Sequence, residues 1–195
     1  MHSRLSFLKK TQVNVYKNKL IPNINSMFSI IAAVSNTNGL GKNGQIPWNE
    51  PVDMKYFKEI TSKVTDATRQ NAIIMGRRTY ESLKGRTLPN RRNIIISSDC
   101  NNKIDWFTSL QSAMDYLWYD KSIEKIFVIG GGQLYQEAIR HRGCNELYIN
   151  RINTDIECDV FFPEINNDTY ELCSERVLSE RVTALYYRNR YPKWG

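Results

Sequence analysis

The sequence is poor in the residues that most metal centres and proton-transfer sites use. Its 195 residues include two histidines, His2 and His141, and four cysteines, none of them in a C-x-x-C pair. These low counts argue against a histidine base, a zinc site and a thiol redox motif, so we expect no bound metal. Scattered cysteines are typical of free thiols in a reducing compartment, which favours a cytoplasmic location.

Long apolar runs and a strongly charged body are also missing. No segment approaches the roughly 20 apolar residues of a membrane-spanning helix, so we expect no membrane partner. The formal net charge is +7, but residues 1–26 contribute five basic residues and no acid, which leaves the remainder nearly neutral. We therefore expect no nucleic-acid partner. Three interpretations of the basic extension 1–26 stay open: a disordered segment, translation upstream of Met27, or a mitochondrial targeting peptide.

The residues after this extension alternate between short apolar runs and amphipathic segments. The apolar runs predict buried strands at 28–35, 71–75, 93–97, 125–132 and 146–152. Helical spacing predicts a helix at about 52–64, with an apolar, buried face made by Met54, Phe57, Ile60 or Thr61 and Val64. Further helices are predicted at about 79–83, at 109–118 with Ser109 as the N-cap, and from the glycines at 130–132 to about 143. Two further strands are predicted in succession at 170–177 and 184–191. The pattern predicts an α/β fold over 27–195: one domain with a central, mainly parallel sheet, flanking helices and an antiparallel C-terminal hairpin.

Ligands in open α/β sheets bind beyond the carboxyl ends of the strands, where loops lead into helices. Three such junctions stand out: the loop 36–44, the segment GRRT at 76–79 and the glycines at 130–132. The arginines of GRRT could pair with phosphates, and a turn with two solvated arginines explains them equally well. The glycines allow close approach of a ligand but do not form a G-x-G-x-x-G fingerprint. The loop 36–44 is interpreted either as a mobile lid or as a flexible connector.

Asp53 is the candidate for proton chemistry. It lies at the start of a predicted helix, with Trp48 and Met54 nearby and Phe57 one turn later. An acid in the first turn of a helix stabilises the helix dipole, which is a sufficient structural explanation. The apolar neighbours indicate a dry setting, however, where a carboxylate is costly unless it is paired. A ligand with two parallel N–H donors would pair with it well.

From Phe28 to about Tyr191 the chain resembles dihydrofolate reductase. The resemblance rests on the order and spacing of seven segments: IIAAVS, GLGKNGQIPW, DMKYFKEIT, IIMGRRTYESL, LPNRRNIIIS, FVIGGGQLY and DVFFPEI. It implies reduction of 7,8-dihydrofolate to 5,6,7,8-tetrahydrofolate by hydride transfer from NADPH, in one-carbon and thymidylate metabolism. It also implies binding of dihydrofolate and folate analogues. We expect a monomer, although the sequence itself leaves the oligomeric state open.

The resemblance further implies roles for individual residues. Asp53 would bind the 2-amino group and N3–H of the pterin and support protonation at N5, and Asp53 and Trp48 are the implied catalytic residues. Arg91 matches the arginine that holds the glutamate carboxylate of the substrate, an anion that suits a guanidinium fork. The implied substrate-binding residues are Ile31, Ala32, Asp53, Met54, Phe57, Leu83, Arg91, Ile129, Tyr135 and Asn150.

For the cofactor, the resemblance implies a lid over residues 39–46, phosphate contacts from 77–79 and an adenosine phosphate near Ser97 and Ser98. The Gly130–Gly131 peptide, which is cis in the family, would border the nicotinamide. The implied cofactor-binding residues are Ala33, Gly39, Leu40, Gly41, Lys42, Asn43, Gly44, Gln45, Ile46, Arg77, Arg78, Thr79, Ser97, Ser98, Thr108, Gly130, Gly131, Gly132, Gln133, Leu134 and Tyr135.

Four positions depart from the family pattern. Asn150 stands where the family usually has a threonine that bridges the carboxylate to the pterin, so the local water network and inhibitor geometry differ. Tyr80 replaces a frequent tryptophan, and Gln133 replaces an arginine or serine, which shifts the expected 2′-phosphate contact towards the arginines of GRRT. Lys84 is an added residue at the rim of the cleft.

Two other functions are weighed against this one. A reductase of a riboflavin precursor shares the fold, but the pairing of Asp53 with Arg91 suits a pterin that carries a glutamate. A folate- or nucleotide-binding module without turnover is the non-enzymatic alternative, and the intact Asp53, Trp48 and Phe57 argue against it.

Overall fold

The computed structural model describes residues 27–100 and 103–191. Its strands are β1 (Phe28–Val34), β2 (Gly39–Gly41), β3 (Gln70–Gly76), β4 (Arg91–Ile96), β5 (Trp106–Phe107), β6 (Ile123–Val128), β7 (Cys144–Ile152), β8 (Val160–Phe161), β9 (Tyr170–Ser179) and β10 (Val182–Asn189). The helices in these residues are α1 (Pro51–Ser62), α2 (Arg77–Ser82), α3 (Leu110–Trp118) and α4 (Gly132–Arg140). The predicted extension 1–26 lies outside the described residues.

Eight of the strands form one sheet in the order β5-β4-β3-β6-β1-β7-β10-β9. The strands from β5 to β7 pair in parallel. β10 runs antiparallel to both of its neighbours, β7 and β9. The predicted fold class is therefore confirmed: a mainly parallel sheet that ends in an antiparallel strand pair.

The sheet is covered on both faces, as the apolar parallel strands require. α3 and α4 pack on one face with Leu110, Met114, Leu134 and Ala138 in the larger core cluster. On the other face Phe57 and Ile60 of α1, with Leu83 just after α2, pack against a smaller cluster around Ile31, Met75 and Phe127. Full burial of a side chain such as Phe127 contributes about 1.5–3 kcal/mol. None of the helices in the described residues is both long and apolar enough to span a bilayer.

Local sequence signals set the helix starts. α1 begins with Pro51 at its first position, where a missing N–H costs nothing. Ser109 caps α3, because its side chain accepts from the backbone N–H of Ser112 at 3.1 Å, which confirms the predicted cap.

The structure differs from the predicted elements in three ways. The two-stranded sheet of β2 and β8 and the short strand β5 had no apolar run long enough to predict them. α2 begins at Arg77 rather than at 79, so both arginines of GRRT lie in its first turn. Met54 was predicted on the buried face of α1, and this is wrong: it is 57% exposed, because Asp53 and Phe57, four residues apart, point to the sheet instead.

Candidate active site

The strand order reverses around β1, which lies between β6 and β7. Such a reversal opens a crevice beyond the carboxyl ends of the parallel strands. The first turn of α1 borders the crevice, since Asp53 is hydrogen-bonded to Asn150 near the end of β7. The site is thus built from separate elements that meet at the middle of the sheet.

Asp53 is the buried acid of this crevice. The residue is 8% exposed, and Asn150 Nδ2 donates a hydrogen bond to its Oδ1 at 2.7 Å. Asn150 pairs across the sheet with Ala33 of β1 and Ala184 of β10. Because both neighbours are small, the amide has room to reach α1.

The surroundings of Asp53 shift its proton affinity upwards. Burial raises the pKa of the carboxyl above its usual range, the hydrogen bond from Asn150 opposes the rise, and the nearby Glu50 carboxylate adds to it. Removal from water outweighs the single amide donor. The carboxylate is therefore underpaired, and a ligand that offers further N–H donors would stabilise it.

Two buried polar atoms of the predicted site have no hydrogen-bond partner in residues 27–100 and 103–191. They are the indole donor Trp48 Nε1 and the amide acceptor Asn150 Oδ1. An unpaired buried polar group costs about 1–3 kcal/mol. One donor and one acceptor without partners, both in predicted site residues, indicate a place where water or ligand completes the structure.

An apolar wall adjoins the acid. Ile31 of β1 and the partly buried Phe57, Leu83 and Ile129 pack in or against the smaller core cluster. The structure thus brings together four predicted substrate-binding residues from four separate parts of the chain. A flat heterocycle is the kind of ligand such a wall accepts.

Arg91, at the start of β4, is the buried cation of the site. It is 7% exposed, and it forms no ion pair with a carboxylate of the described residues. Its Nη1 donates to the Thr61 hydroxyl oxygen at 2.7 Å, its Nε donates to the Pro89 carbonyl at 3.0 Å, and its Cζ lies 5.8 Å from the centre of the Phe57 ring. Burial lowers the pKa of Arg91. A buried guanidinium without a carboxylate is prepared for an anionic ligand.

Thr61 is a site residue that the sequence analysis missed. Its hydroxyl donates to the Phe57 carbonyl at 2.6 Å, so its oxygen is free to accept from Arg91. The available signal was its position eight residues after Asp53 on the same helix, which places it about 12 Å along the axis at 1.5 Å per residue. α1 therefore carries the acid near one end and the partner of the arginine near the other.

The glycines at 130–132 bring two strand ends together. The Gly130–Gly131 peptide is cis, as the resemblance implied. The Gly76 N–H donates to the Gly130 carbonyl at 2.7 Å, and the Tyr135 hydroxyl donates to the Ile31 carbonyl at 2.8 Å. Gly130 has φ +117°, and a Cβ there would lie 3.2 Å from the Tyr135 ring, so only glycine is accommodated without strain.

The two arginines of GRRT lie in the first turn of α2 and are exposed. Arg77 lies 3.7 Å from Glu81, a solvent-exposed pair of little energetic weight. Arg78 has no ion pair within the described residues. Both guanidinium groups are thus available to an anion next to the glycines, since a Cβ on Gly131 would lie 3.2 Å from the Thr79 hydroxyl oxygen.

The segment 39–46 is structured and held at two points. β2 pairs with β8, and a tight turn with Asn43 and Gly44 at positive φ follows. Lys42 forms an ion pair with Glu157 at 2.5 Å, and the Asn43 N–H donates to Asp159 Oδ2 at 2.8 Å. These two acids were missed, because nothing in their local sequence links them to a segment more than 110 residues away.

Several predicted residues do not present their side chains to these groups. Ala32 and Leu134 pack in the core on the α3 and α4 face, so a ligand contact there would involve their backbone. Ser97 is buried, and its hydroxyl accepts from the Asp99 N–H at 3.2 Å. The remaining exposed side chains are Gln45, Ile46, Met54, Ser98, Thr108 and Gln133. Their roles in ligand binding stay predictions.

Comparisons with known proteins agree with the family resemblance found in the sequence. The family profile described as dihydrofolate reductase matches residues 27–191. A bifunctional dihydrofolate reductase-thymidylate synthase 2 of Arabidopsis thaliana is 36% identical over 186 residues, which cover 87% of this chain and 33% of the relative. A dihydrofolate reductase of Heliothis virescens is 35% identical over 156 residues, which cover 75% of this chain and 84% of the relative. A dihydrofolate reductase of Aedes albopictus is 38% identical over 151 residues, which cover 72% of this chain and 81% of the relative.

The chain spans about a third of the length of its bifunctional relatives and most of the length of the insect ones. The matched range includes both β1 and β10 and therefore the whole central sheet. On the family profile and these identities, the chain belongs to the dihydrofolate reductase family.

Proposed function

We propose that the chain reduces 7,8-dihydrofolate to 5,6,7,8-tetrahydrofolate, with NADPH as the hydride donor. The observation that carries the proposal is the pair of underpaired buried charges on either side of Phe57. Asp53 has one protein donor, and Arg91 has no carboxylate partner among the described residues. A ligand with N–H donors at one end and a carboxylate at the other would pair with both charges at once, since Asp53 and Thr61, the partner of Arg91, lie near opposite ends of α1.

Dihydrofolate has this layout. Its pterin presents the 2-amino group and N3–H as parallel donors, and its glutamate presents carboxylates at the far end. The carboxylate of Asp53 suits the first pair, and the planar fork of Arg91 suits the second. The apolar wall between them suits the ring system.

The residues present also fit a phosphorylated nicotinamide cofactor. The exposed Arg77 and Arg78 supply the cationic donors that phosphates require, and Thr79 adds a hydroxyl beside Gly131. The flat glycine surface at Gly130 and Gly131 permits close approach of a ring. When bound, the cofactor supplies a hydride to the substrate. NADPH rather than NADH is proposed because two arginines stand next to each other, enough for an additional phosphate.

The chain's own residues contribute orientation and electrostatics to the reaction. The Asp53 carboxylate accepts hydrogen bonds from the N–H groups of the pterin and so fixes the ring. The negative charge of Asp53 favours the protonated substrate, which accepts a hydride more readily. Phe57 and Ile31 keep water away from the ring, which strengthens the interaction with the carboxylate. Arg91 holds the far end, so that the ring stays in line.

The test is a turnover assay that follows NADPH absorbance after dihydrofolate is added. The proposal predicts steady oxidation by the wild-type chain and a large loss with Asp53→Asn. Absence of turnover despite binding of both ligands would favour the non-catalytic binding module. Turnover of a riboflavin precursor, but not of dihydrofolate, would favour the other reductase.

Cofactor preference has its own test. Replacing Arg77 and Arg78 together by glutamine should raise the KM for NADPH by about 10- to 100-fold, as expected for the loss of charge-assisted contacts, and leave the KM for NADH nearly unchanged. Glu81→Gln, next to the same turn, is the matched control. Equal effects on both cofactors would remove the arginines from 2′-phosphate recognition.

The location, the monomeric state and the role of residues 1–26 stay predictions. Every site residue named above lies after Met27, so a chain that starts there should keep full turnover and elute as a monomer. Fusions of a fluorescent protein to the full chain and to the shortened one would compare their locations. Mitochondrial signal from the full chain only would identify the extension as a targeting peptide and overturn the cytoplasmic prediction.

A further inference from the structure

The segment 36–44 contains two Asn–Gly dipeptides, Asn38–Gly39 and Asn43–Gly44. Asparagine before glycine is prone to deamidation, in which the glycine nitrogen attacks Cγ of the asparagine side chain. The new N–Cγ bond closes a cyclic imide, the Cγ–Nδ2 bond breaks, and ammonia leaves with the proton of the glycine nitrogen. Water then opens the imide at either carbonyl and gives aspartate or isoaspartate. Glycine favours the attack because it has no Cβ to obstruct the approach.

Asn43 and Gly44 are the two central residues of a tight turn that is open to the solvent. Lys42 and Gln45 close the turn with N–H···O bonds of 2.9 and 3.0 Å, and φ is +52° at Asn43 and +74° at Gly44. Both central residues are exposed, and a Cβ on Gly44 would meet nothing within 4 Å. Within the described residues the Gly44 N–H has no hydrogen-bond partner. The attacking nitrogen is therefore free and unobstructed.

Asn38–Gly39 has the same two residues in the opposite surroundings. Gly39 is buried, and its N–H donates to the Ser35 hydroxyl oxygen at 2.9 Å. A Cβ on Gly39 would lie 2.3 Å from Cys158 Sγ, so the space around this glycine is filled. The Asn38 carbonyl accepts from the Phe162 N–H at 2.8 Å, which fixes the peptide between the two residues. The Gly39 nitrogen cannot attack until these contacts open.

We propose that Asn43 is a site of spontaneous deamidation in the folded chain, and that the fold protects Asn38 from the same reaction. The hydrogen bond from Gly39 to Ser35 has to break before Asn38 reacts, which corresponds to a reaction at least about tenfold slower. At Asn43 no such bond precedes the attack. Water is the one co-reactant, so the modification needs no enzyme.

The products of the reaction oppose the contacts that hold this segment. The Asn43 N–H donates to Asp159 Oδ2 at 2.8 Å, and Lys42 pairs with Glu157. A carboxylate at position 43 repels these two acids. Isoaspartate also adds a methylene to the main chain, which a two-residue turn does not absorb without losing the pairing of its flanking residues. Deamidation therefore loosens the segment 39–46.

The test follows deamidation at the two sites by mass spectrometry. The full chain is incubated at mildly alkaline pH, folded or in urea, and digested with trypsin, which cleaves after Lys42 and so separates the two dipeptides. In urea both asparagines should react at similar rates, which is the control for their intrinsic reactivity. In the folded chain Asn43 should react at least about tenfold faster than Asn38. Equal rates in the folded chain, or an intact Asn43 there, would overturn the proposal.

Two variants test the assigned causes with the same readout. Ser35→Ala removes the acceptor of the Gly39 N–H, so deamidation at Asn38 should become about three- to tenfold faster while the rate at Asn43 stays the same. Gly44→Ala places a side chain on the attacking residue and should slow the reaction at Asn43 alone. An unchanged rate at Asn38 in the first variant, or at Asn43 in the second, would contradict the mechanism.

The effect on cofactor binding rests on the proposed function, in which the segment 39–46 covers NADPH. Ion exchange separates the deamidated chain, because each product carries one more negative charge. The KM for NADPH of the isoaspartate form should be about two- to tenfold higher than that of the unmodified chain. An unchanged KM would refute this consequence. The mass measurements do not depend on turnover, so the deamidation proposal and the proposed function are judged separately.

Discussion

Asp53→Asn is expected to weaken the enzyme and strengthen the fold. Asp53 is 8% exposed in the wild type, its carboxylate has one protein donor and lies near Glu50, and burial raises the pKa of the carboxyl. An asparagine of the same shape can accept from Asn150 Nδ2 through its own Oδ1 without ionising. Removal of a buried, underpaired charge by a neutral residue of equal size belongs to the changes that stabilise by about 0.5–2 kcal/mol.

The difference in stability between Asp53→Asn and wild type depends on pH, and its direction follows from the raised pKa of Asp53. Because the pKa is raised by folding, the folded state holds this proton more tightly than the unfolded state. Below the ordinary aspartate pKa both states are protonated and the charge costs nothing. As the pH rises through the ordinary value and then the raised one, the wild type loses stability, and the loss is complete above the raised pKa. The advantage of Asp53→Asn should therefore appear at pH 7 and vanish in strong acid.

Turnover by Asp53→Asn should fall, although its fold becomes more stable. Loss of the group that favours the protonated substrate should reduce kcat at neutral pH by about 10²- to 10⁴-fold. Urea unfolding followed by circular dichroism, without ligands, measures the first effect, and NADPH oxidation measures the second. Glu59→Gln, an exposed acid on the same helix, should change neither. A variant that is less stable than wild type at pH 7, or that keeps turnover within about tenfold, would refute the reasoning about Asp53.

Two further substitutions test other parts of the site. Arg91→Gln should raise the KM for dihydrofolate by the equivalent of about 2–5 kcal/mol with a smaller change in kcat. It should not affect a dihydropterin that lacks the benzoylglutamate, and equal losses on both substrates would show a general structural role. Gly130→Ala should lower the free energy of unfolding by about 1–3 kcal/mol, and by more than Gly44→Ala, because φ +117° is unfavourable for alanine and the added Cβ would also lie 3.2 Å from the Tyr135 ring. Thermal unfolding measures this, Gly44→Ala in open space is the control, and equal losses for the two would point to φ alone rather than contact with Tyr135.

The centre of the sheet was predictable because its parallel strands are apolar and largely buried. The apolar composition of Phe28–Val34 and Gln70–Gly76 predicts buried strands, and the alternation of such runs with amphipathic segments predicts the helices between them. The strands β2, β5 and β8 have two or three residues each and owe their geometry to partners far along the chain. No local pattern encodes such pairs, so a single sequence does not predict them.

The residues of the candidate site likewise fall into those that the sequence predicted and those that it did not. Asp53 and Arg91 were predicted because an acid beside apolar residues and an arginine in LPNRRN carry the family resemblance. Thr61 was missed because a threonine in a helix has no chemical signature until its partner is known. The exposure of Met54 was mispredicted because the choice between two adjacent residues of one turn depends on how the helix is rotated against the sheet. That rotation is fixed by tertiary contacts, which periodicity alone leaves open to within one residue.

The site gathers several features that oppose folding, and a ligand would remove them together. The acid at the start of α1, the arginine of β4 and the lone atoms of Trp48 and Asn150 are each underpaired, while the parallel strands in the middle of the sheet are largely buried. Natural chains break local rules of this kind mainly where function requires it. If the missing partners belong to ligands, binding must stabilise the fold, by about 2.7 kcal/mol at a concentration 100 times Kd. At the same absolute ligand concentration this stabilisation should be smaller in Asp53→Asn, because the variant lacks the charge that the ligand would neutralise and therefore binds with a larger Kd.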